Sequence, residues 1–387
     1  MSLCFNVLVF LCFYILMYNN KMPRKRKIDK YFAVAVGGLV LSGLFFFLSA
    51  ALGLLAEDKN EFFSVLISQI IFGLGGGLFL LILLSKINYR HYKQYAFYLF
   101  LLALLISCLV FVPGIGIARG VARRWIDIFG LSFQPAELLK LSFVIYFAAL
   151  LSAFRQQLQH WKYSILPILA LLGICATLAF FQKDFGTLLI IGITALGMIF
   201  AAGIKFKHFL IILAGLLVSI VPLALYKAYV WQRIITFFRP SQDLLGAGYQ
   251  IWHSLIAIGS GGLAGKGFGK SIQKFGFLPE AMGDSIFAVT AEEWGLIGAL
   301  FLIGLFLFFM WRGFRIASRA QDMFGRLLAL GIVILIVSQS FLNMASMLGL
   351  FPITGMPLIF VSQGGTALLF ALAEVGIIFN ISKYKKL

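Results

Sequence analysis

KFGFLPEAMGDSIFAVTAEEWGLIGALFLIGLFLFFM, residues 274–310, holds both halves of the problem this chain poses. From Ile286 to Met310 the run is apolar and as long as a bilayer core demands, about 20 residues. Lipid cannot satisfy backbone N–H and C=O groups, so such a run folds as a helix. At and before its start stand Glu280, Asp284, Glu292 and Glu293, drawn from only 14 acidic residues in 387. A chain so poor in carboxylates has gathered them at the edge of a membrane.

Working outward, the same apolar signature recurs along the chain. Hydrophobic residues make up 61% of it and charged ones 12%, about half the charged share of a soluble domain. The reading is an all-α polytopic membrane protein with about ten spans, near 32–56, 63–85, 96–113, 136–153, 165–181, 187–203, 208–226, 286–310, 327–349 and 364–381. A long outer loop, from about Tyr226 to Ser285, separates spans 7 and 8. A loop of that length usually carries function, and this one should contain short helices lying at the interface or re-entering the protein.

Residues 1–21 are apolar but lack the basic n-region and small-residue cleavage site of a signal peptide. Met22 opens MPRKRKIDKYFAVAV, which reads as a cytoplasmic start. The first 21 residues are therefore read as a mis-assigned extension, or alternatively as an additional helix. Residues 22–387 form a single membrane domain.

With Met22 inside, alternating spans place RKRKIDK, KINYRHYK, FRQQLQHWK, IKFKH, WRGFRIASRAQDMFGR and KYKKL on one side. Most of the 32 Lys and Arg sit there, as the positive-inside rule requires, and both termini face the cytoplasm. The exceptions are more informative. Arg119, Arg123, Arg124, Lys140, Lys183, Lys227, Arg233, Arg239, Lys266, Lys270 and Lys274 fall in outward segments or just beneath them. They read either as contacts with anionic headgroups or as the lining of a cavity for a polyanion, with Arg suited to forked phosphate contacts.

Some patterns exclude chemistry. The four cysteines and four histidines are scattered, so neither a disulfide framework nor a zinc centre is indicated. AGKGFGKS (264–271) matches a relaxed phosphate-loop pattern but follows no strand and faces away from cellular nucleotide. Nothing points to nucleic acid.

Charges inside spans mark functional positions by default. FQPAELLKL gives Glu137 and Lys140 one face of the fourth span at i, i+3, as a packing ion pair or as part of a site. FFQKDFGTLL places Lys183 and Asp184 where the fifth and sixth spans meet, as a tight connection or as cavity lining. Glu374 in the last span reads as a packing contact. At the start of the eighth span either Asp284 or Ser285 caps the helix, or Asp284 serves as a general base. Glu292 and Glu293 lie two turns deeper, and at least one of them needs a buried partner.

These residues sit in a longer pattern. VARRWIDIFGLSFQPAELLK, QKDFGT, GAGYQ followed by SLIAIGSGG and QKFGFLPEA, and LGLFPITGMPLIFVSQGGTAL occur in this order. Together they resemble the SEDS family of FtsW and RodA proteins over about residues 29–384. SKINYRHYKQYA after the second span is closer to the FtsW, or division, branch. The chain departs from the family pattern at Lys183, at Met282, Gly283 and Ser285 around the aspartate, and at Gln363 and Thr366.

The resemblance implies a peptidoglycan glycosyltransferase that polymerises lipid II on the outer face of the bacterial cytoplasmic membrane. It assigns catalysis to Asp284. It implies substrate contacts from Arg123, Arg124, Trp125, Glu137, Lys140, Asp184, Arg233, Lys274, Glu280, Ser362 and Gln363. A divalent cation, Mg2+ or Mn2+, would assist at the pyrophosphate without a dedicated cage. The implied partners are a class B penicillin-binding protein and other division proteins. Rival readings are a lipid II or polyprenyl-lipid flippase, a RodA-type elongation polymerase and a structural division scaffold.

Overall fold

A computed structural model describes residues 27–119, 122–128, 131–157, 160–226, 235–239 and 246–384. The expected N-terminal extension, Met22, Lys227 and Arg233 lie outside them.

The helices in chain order are α1 (Lys30–Glu57), α2 (Lys59–Lys86), α3 (Tyr89–Cys108), α4 (Pro135–Ala153), α5 (Trp161–Gln182), α6 (Phe185–Ala202), α7 (Phe206–Tyr226), α8 (Ala247–Gly261), α9 (Ile286–Ser318), α10 (Met323–Met347) and α11 (Gly365–Ser382). Among the described residues nine stretches are long and apolar enough to cross a membrane. The expected seventh span is α7, whose fully described part, Phe206–Leu216, is shorter than a bilayer core. The chain is a multi-pass membrane protein.

Short polar residues start these helices. Asp29 accepts from Phe32 N at 3.0 Å, Asp58 from Asn60 N at 2.8 Å, Asn88 from Arg90 N at 3.1 Å, Asp184 from Thr187 N at 3.3 Å and Asp322 from Gly325 N at 2.7 Å. Each satisfies a donor that the first helical turn leaves unpaired. Several of the scarce carboxylates are therefore caps.

The helix ends differ from the sequence expectation where an amphipathic turn extends an apolar run. The third span begins at Tyr89 rather than near 96, because Asn88 caps it and Tyr89 is buried. The eighth continues to Ser318, past the apolar run, through a turn whose Arg312 meets Asp29 at 2.8 Å. The all-α expectation needs one further amendment. Residues 116–133 form a three-stranded antiparallel sheet, β1 (Gly116–Arg119), β2 (Ala122–Ile128) and β3 (Leu131–Phe133), where a plain loop was expected.

α4, α10 and α11 form the middle of the bundle and are buried along most of their length. α11 packs on α2, α3 on α4, and α10 on α4, α6 and α9. The α2–α11 contact is closed by small residues. Ser68–Gly76 is wound as a π-helix, and a Cβ at Gly73 would stand 3.0 Å from the Gly365 Cα. The small residues let two backbones touch within the protein.

At one end of the bundle the helices are stitched by polar contacts. Tyr89 N donates to Asn380 Oδ1 at 2.9 Å, the Tyr89 hydroxyl to Asp322 at 2.7 Å, and Asn380 Nδ2 to Ser85 O at 2.8 Å. The opposite end carries the sheet, α8, the segment 262–285 and the turn 354–364.

α9 is not a continuous helix. Gly295 has φ 64° and ψ −162°, which frees carbonyls on the preceding turn. Residues 262–267 take them up: Lys266 N donates to Glu292 O at 3.0 Å and Gly267 N to Glu293 O at 2.9 Å, while Leu296 N donates back to Gly262 O at 2.9 Å. A Cβ at Gly295 would lie 2.5 Å from Gly265 N and Leu263 O. The break keeps polar backbone paired at membrane depth, as helix interruptions there must be.

Candidate active site

Asp284 sits in the turn that feeds α9. Of the two capping candidates, Ser285 rather than Asp284 occupies the cap position of α9, without a side-chain cap hydrogen bond. Other groups hold Asp284. Asn343 Nδ2 of α10 donates to its main-chain carbonyl at 2.7 Å and to Met356 O at 2.8 Å. Gln250 Nε2 of α8 donates to Asp284 Oδ1 at 2.9 Å. The carboxylate is half-buried, within reach of both protein dipoles and solvent.

One turn before Asn343, Gln339 Oε1 accepts from Lys140 Nζ at 2.6 Å and its Nε2 donates to Pro357 O at 3.1 Å. Lys140 is also 2.8 Å from the Glu137 carboxylate, and both side chains are buried. Two amides at i, i+4 on α10 therefore fix the ion pair of α4, the 354–364 turn and the Asp284 main chain on one helix face. Glu374 of α11, also buried, lies within electrostatic range of Lys140 and Glu137.

The sheet aims the arginines. In the β1–β2 register Ile117 faces Trp125 and Ala118 faces Arg123, so Arg124 is the extra residue of a bulge. Bulges re-aim a side chain, and this one turns Arg124 inward while Arg123 stays exposed. The Arg124 guanidinium donates to Lys183 O and lies 3.7 Å from Asp184. Asp184 is 2% exposed, caps α6 and accepts from the Thr187 hydroxyl at 2.8 Å. It is a connector that positions Arg124 rather than an open lining group. α6 in turn meets the 354–364 turn, because a Cβ on Gly186 would touch the Met356 side chain at 2.8 Å. Trp125 is half-buried beside this junction.

Several expected substrate contacts have other duties. Lys274 is sealed inside, its Nζ 2.7 Å from Glu293 and 3.0 Å from Ser49 O. An ammonium so enclosed cannot meet a ligand's phosphate, and its function is to hold the 262–285 segment. Glu293 also accepts from the Ser49 hydroxyl at 2.5 Å. Glu292 accepts from Lys266 at 2.7 Å, from the Ser271 hydroxyl at 2.5 Å and from Ile272 N at 3.1 Å. Both deeper glutamates thus have partners and act as anchors for the loop.

Ser362 is buried, and its Oγ accepts from Leu358 N at 2.7 Å within its own turn. Gln363 is half-buried, and its N–H donates to Met282 O at 2.7 Å. Thr366 Oγ1 donates to Ser132 O at 3.1 Å, tying α11 to the sheet. Glu280 is exposed, four residues ahead of Asp284.

Among the described non-glycine residues, Lys183, Glu280 and Phe360 have positive φ, at 57°, 50° and 69°. They precede Asp184, precede Asp284 and lie in the 354–364 turn. Backbone strain of this kind is retained where the surroundings enforce it, typically at functional sites. Arg124 Nε, Asn343 Oδ1 and Thr354 Oγ1, on the same converging elements, are buried with no hydrogen-bond partner among the described residues. Native interiors rarely leave such atoms unpaired.

Gln250, Gln339, Asn343 and Gln69, whose amide donates to Ser362 O at 3.1 Å and accepts from Gly364 N at 3.0 Å, were not among the expected site residues, which were mostly charged. For Gln69, Gln339 and Asn343 the signal was present, since an amide inside an apolar span needs a partner nearly as much as a charge does.

Among known proteins, residues 29–387 match the FtsW/RodA/SpoVE family model, described as cell cycle protein. Stage V sporulation protein E of Bacillus subtilis is 35% identical over 85% of this chain and 89% of its own length. A probable peptidoglycan glycosyltransferase FtsW of Trichlorobacter lovleyi is 36% identical over 95% of this chain and 96% of its own. Among solved structures, a chain of a peptidoglycan synthase complex that couples polymerization and crosslinking superposes with TM-score 0.75 at 28% identity, covering 92% of this chain and 97% of that one. Thermus thermophilus RodA superposes with TM-score 0.67 at 27% identity, covering 93% and 98%. With the motif order, the bundle and near full-length relatives agreeing, the chain belongs to the FtsW/RodA/SpoVE family of membrane proteins.

Proposed function

We propose that this protein is a peptidoglycan glycosyltransferase that polymerises lipid II on the outer face of the cytoplasmic membrane during cell division. The observation that carries the reading is the placement of Asp284. Its half-buried carboxylate accepts from Gln250 and its main-chain carbonyl from Asn343, at the end of the bundle where Arg124 is turned inward. The FtsW relatives, named as probable peptidoglycan glycosyltransferases, supply the substrate class.

In this mechanism Asp284 takes the proton of the acceptor sugar's 4-hydroxyl. The hydroxyl oxygen then bonds to the donor's anomeric carbon, and the bond to undecaprenyl pyrophosphate breaks with its electron pair. Charge grows on the leaving pyrophosphate, and Arg124, with Arg123 beside it in sequence, steadies it electrostatically; Arg233, expected to join them, lies outside the described residues. Trp125, Glu280 and Gln363 border the same end and would contact substrate. Glu137 and Lys140 act as the support on which α10 positions Asp284. The described residues hold no group of three or more His, Cys, Asp and Glu able to cage a metal, and no step here runs through one.

The partner in this reading is a class B penicillin-binding protein that crosslinks the nascent strand, alongside other division proteins. Reconstitution in vesicles with that partner separates polymerisation from transport. Glycan strands resolved on a gel, without translocation of fluorescent lipid II between leaflets, are expected. Translocation without strands would replace the enzyme by a flippase. Rescue of an FtsW-depleted strain, and not of a RodA-depleted one, is expected for the division role.

A further inference from the structure

A general base needs its lone pair aimed as well as its charge placed, and the aspartate side chain does not supply that aim. The terminal torsion of Asp is broad and roughly two-fold, so a carboxylate tethered only through its backbone swings. The main-chain bonds from Asn343 to Asp284 O and from Ser285 N to Glu280 O fix where Asp284 begins. They do not by themselves set the rotation of the carboxylate, which the neighbouring Ser285 hydroxyl also touches, at 3.5 Å from Asp284 Oδ1.

Gln250 approaches the same oxygen at full hydrogen-bond strength from a separate helix. Its Nε2 donates at 2.9 Å to Asp284 Oδ1 and at 2.9 Å to Ser285 Oγ. The orientation of the amide follows from its neighbours. An ionised carboxylate only accepts, and the Ser285 hydroxyl sends its own proton to Pro279 O at 2.8 Å. Both groups therefore require the nitrogen end of Gln250. Gln250 stands in the first turn of α8, where Ser254 Oγ donates to its carbonyl at 2.8 Å and contacts Met347 Sδ of α10 at 3.3 Å. The donor is therefore mounted on a helix braced against the same α10 that carries Asn343.

We propose that Gln250 is a positioning residue for the transfer reaction, holding the Asp284 carboxylate in the rotamer that meets the acceptor hydroxyl. The inference rests on Asp284 being the base. It assigns to the segment before α9 a role in alignment, and it explains why an outer helix of this bundle presents an amide rather than a charge. A lysine there would pair with the carboxylate and weaken it as a base, whereas an amide orients it without neutralising it.

The test is steady-state polymerisation by the full-length protein with its class B partner, comparing wild type, Gln250→Met, Gln250→Asn and Asp284→Asn. Methionine fills the same volume without a donor, and asparagine keeps the donor but cannot reach. Both are expected to lower kcat about 10- to 100-fold, the size of a lost alignment, with KM and thermal midpoint unchanged. A Gln250→Met rate within two-fold of wild type overturns the proposal, as does a fall in thermal midpoint that accompanies the rate loss. Asp284→Asn separates the two claims. If it is inactive while Gln250→Met is normal, only the role of Gln250 fails. If it retains the wild-type rate, the assignment of the base fails and this inference with it.

Discussion

Lys140 stands in apolar surroundings with three oxygens around it, two from Glu137 and one from Gln339. Removing one partner of such a pair strands the other charge, which costs about 3–5 kcal/mol, whereas replacing both with apolar groups of similar volume costs much less. Lys140→Ala is therefore expected to lower the thermal midpoint sharply. Lys140→Met combined with Glu137→Leu should recover most of that loss without recovering activity, because Gln339 would then lack its anchor. Differential scanning fluorimetry beside polymerisation rates checks both parts. The sequence made Glu137, Lys140 and Asp284 legible, since charge in an apolar run is conspicuous. It could not separate Lys274 from the substrate-facing basic residues. Spacing along the chain does not reveal that its ammonium is enclosed by Glu293 and Ser49, from elements far apart in sequence.

Helices were legible from apolar runs, and their ends were misread wherever an amphipathic turn continued them, as at Tyr89 and after Met310. The sheet at 116–133 and its bulge left little trace, because three strands this short offer too few alternating positions to register a period of two. The interruption of α9 was invisible for a different reason: Gly295 is one of several glycines in apolar sequence, and only the approach of residues 262–267 gives it a purpose. Gly295→Ala places a Cβ against Gly265 N in a backbone region that L-residues avoid. It should destabilise the latch by at least the 1–3 kcal/mol of such strain. Hydrogen exchange at residues 262–274 should then rise while the amides of α4 stay protected. Faster exchange throughout α4 would show instead that the latch and the bundle unfold together.

The bundle has one end stitched by Asp29, Arg312, Tyr89, Asp322 and Asn380, and another that carries Asp284, Arg124 and the 262–285 segment. On the charge pattern the first is expected to face the cytoplasm. In a protein with its cysteines replaced by serine, Phe277→Cys should react with an impermeant maleimide in spheroplasts. Arg319→Cys should react only after lysis. The reverse pattern would turn the whole assignment around, and with it the face on which lipid II could be used.

The central claim is that a single carboxylate at that outward end performs the proton transfer. Its most direct measurement is the initial rate of lipid II polymerisation by Asp284→Asn, purified and folded, beside its transpeptidase partner. Removing a general base should slow the reaction by about 100-fold or more, with the bundle's thermal midpoint preserved. A rate indistinguishable from that of the unsubstituted protein would contradict the account.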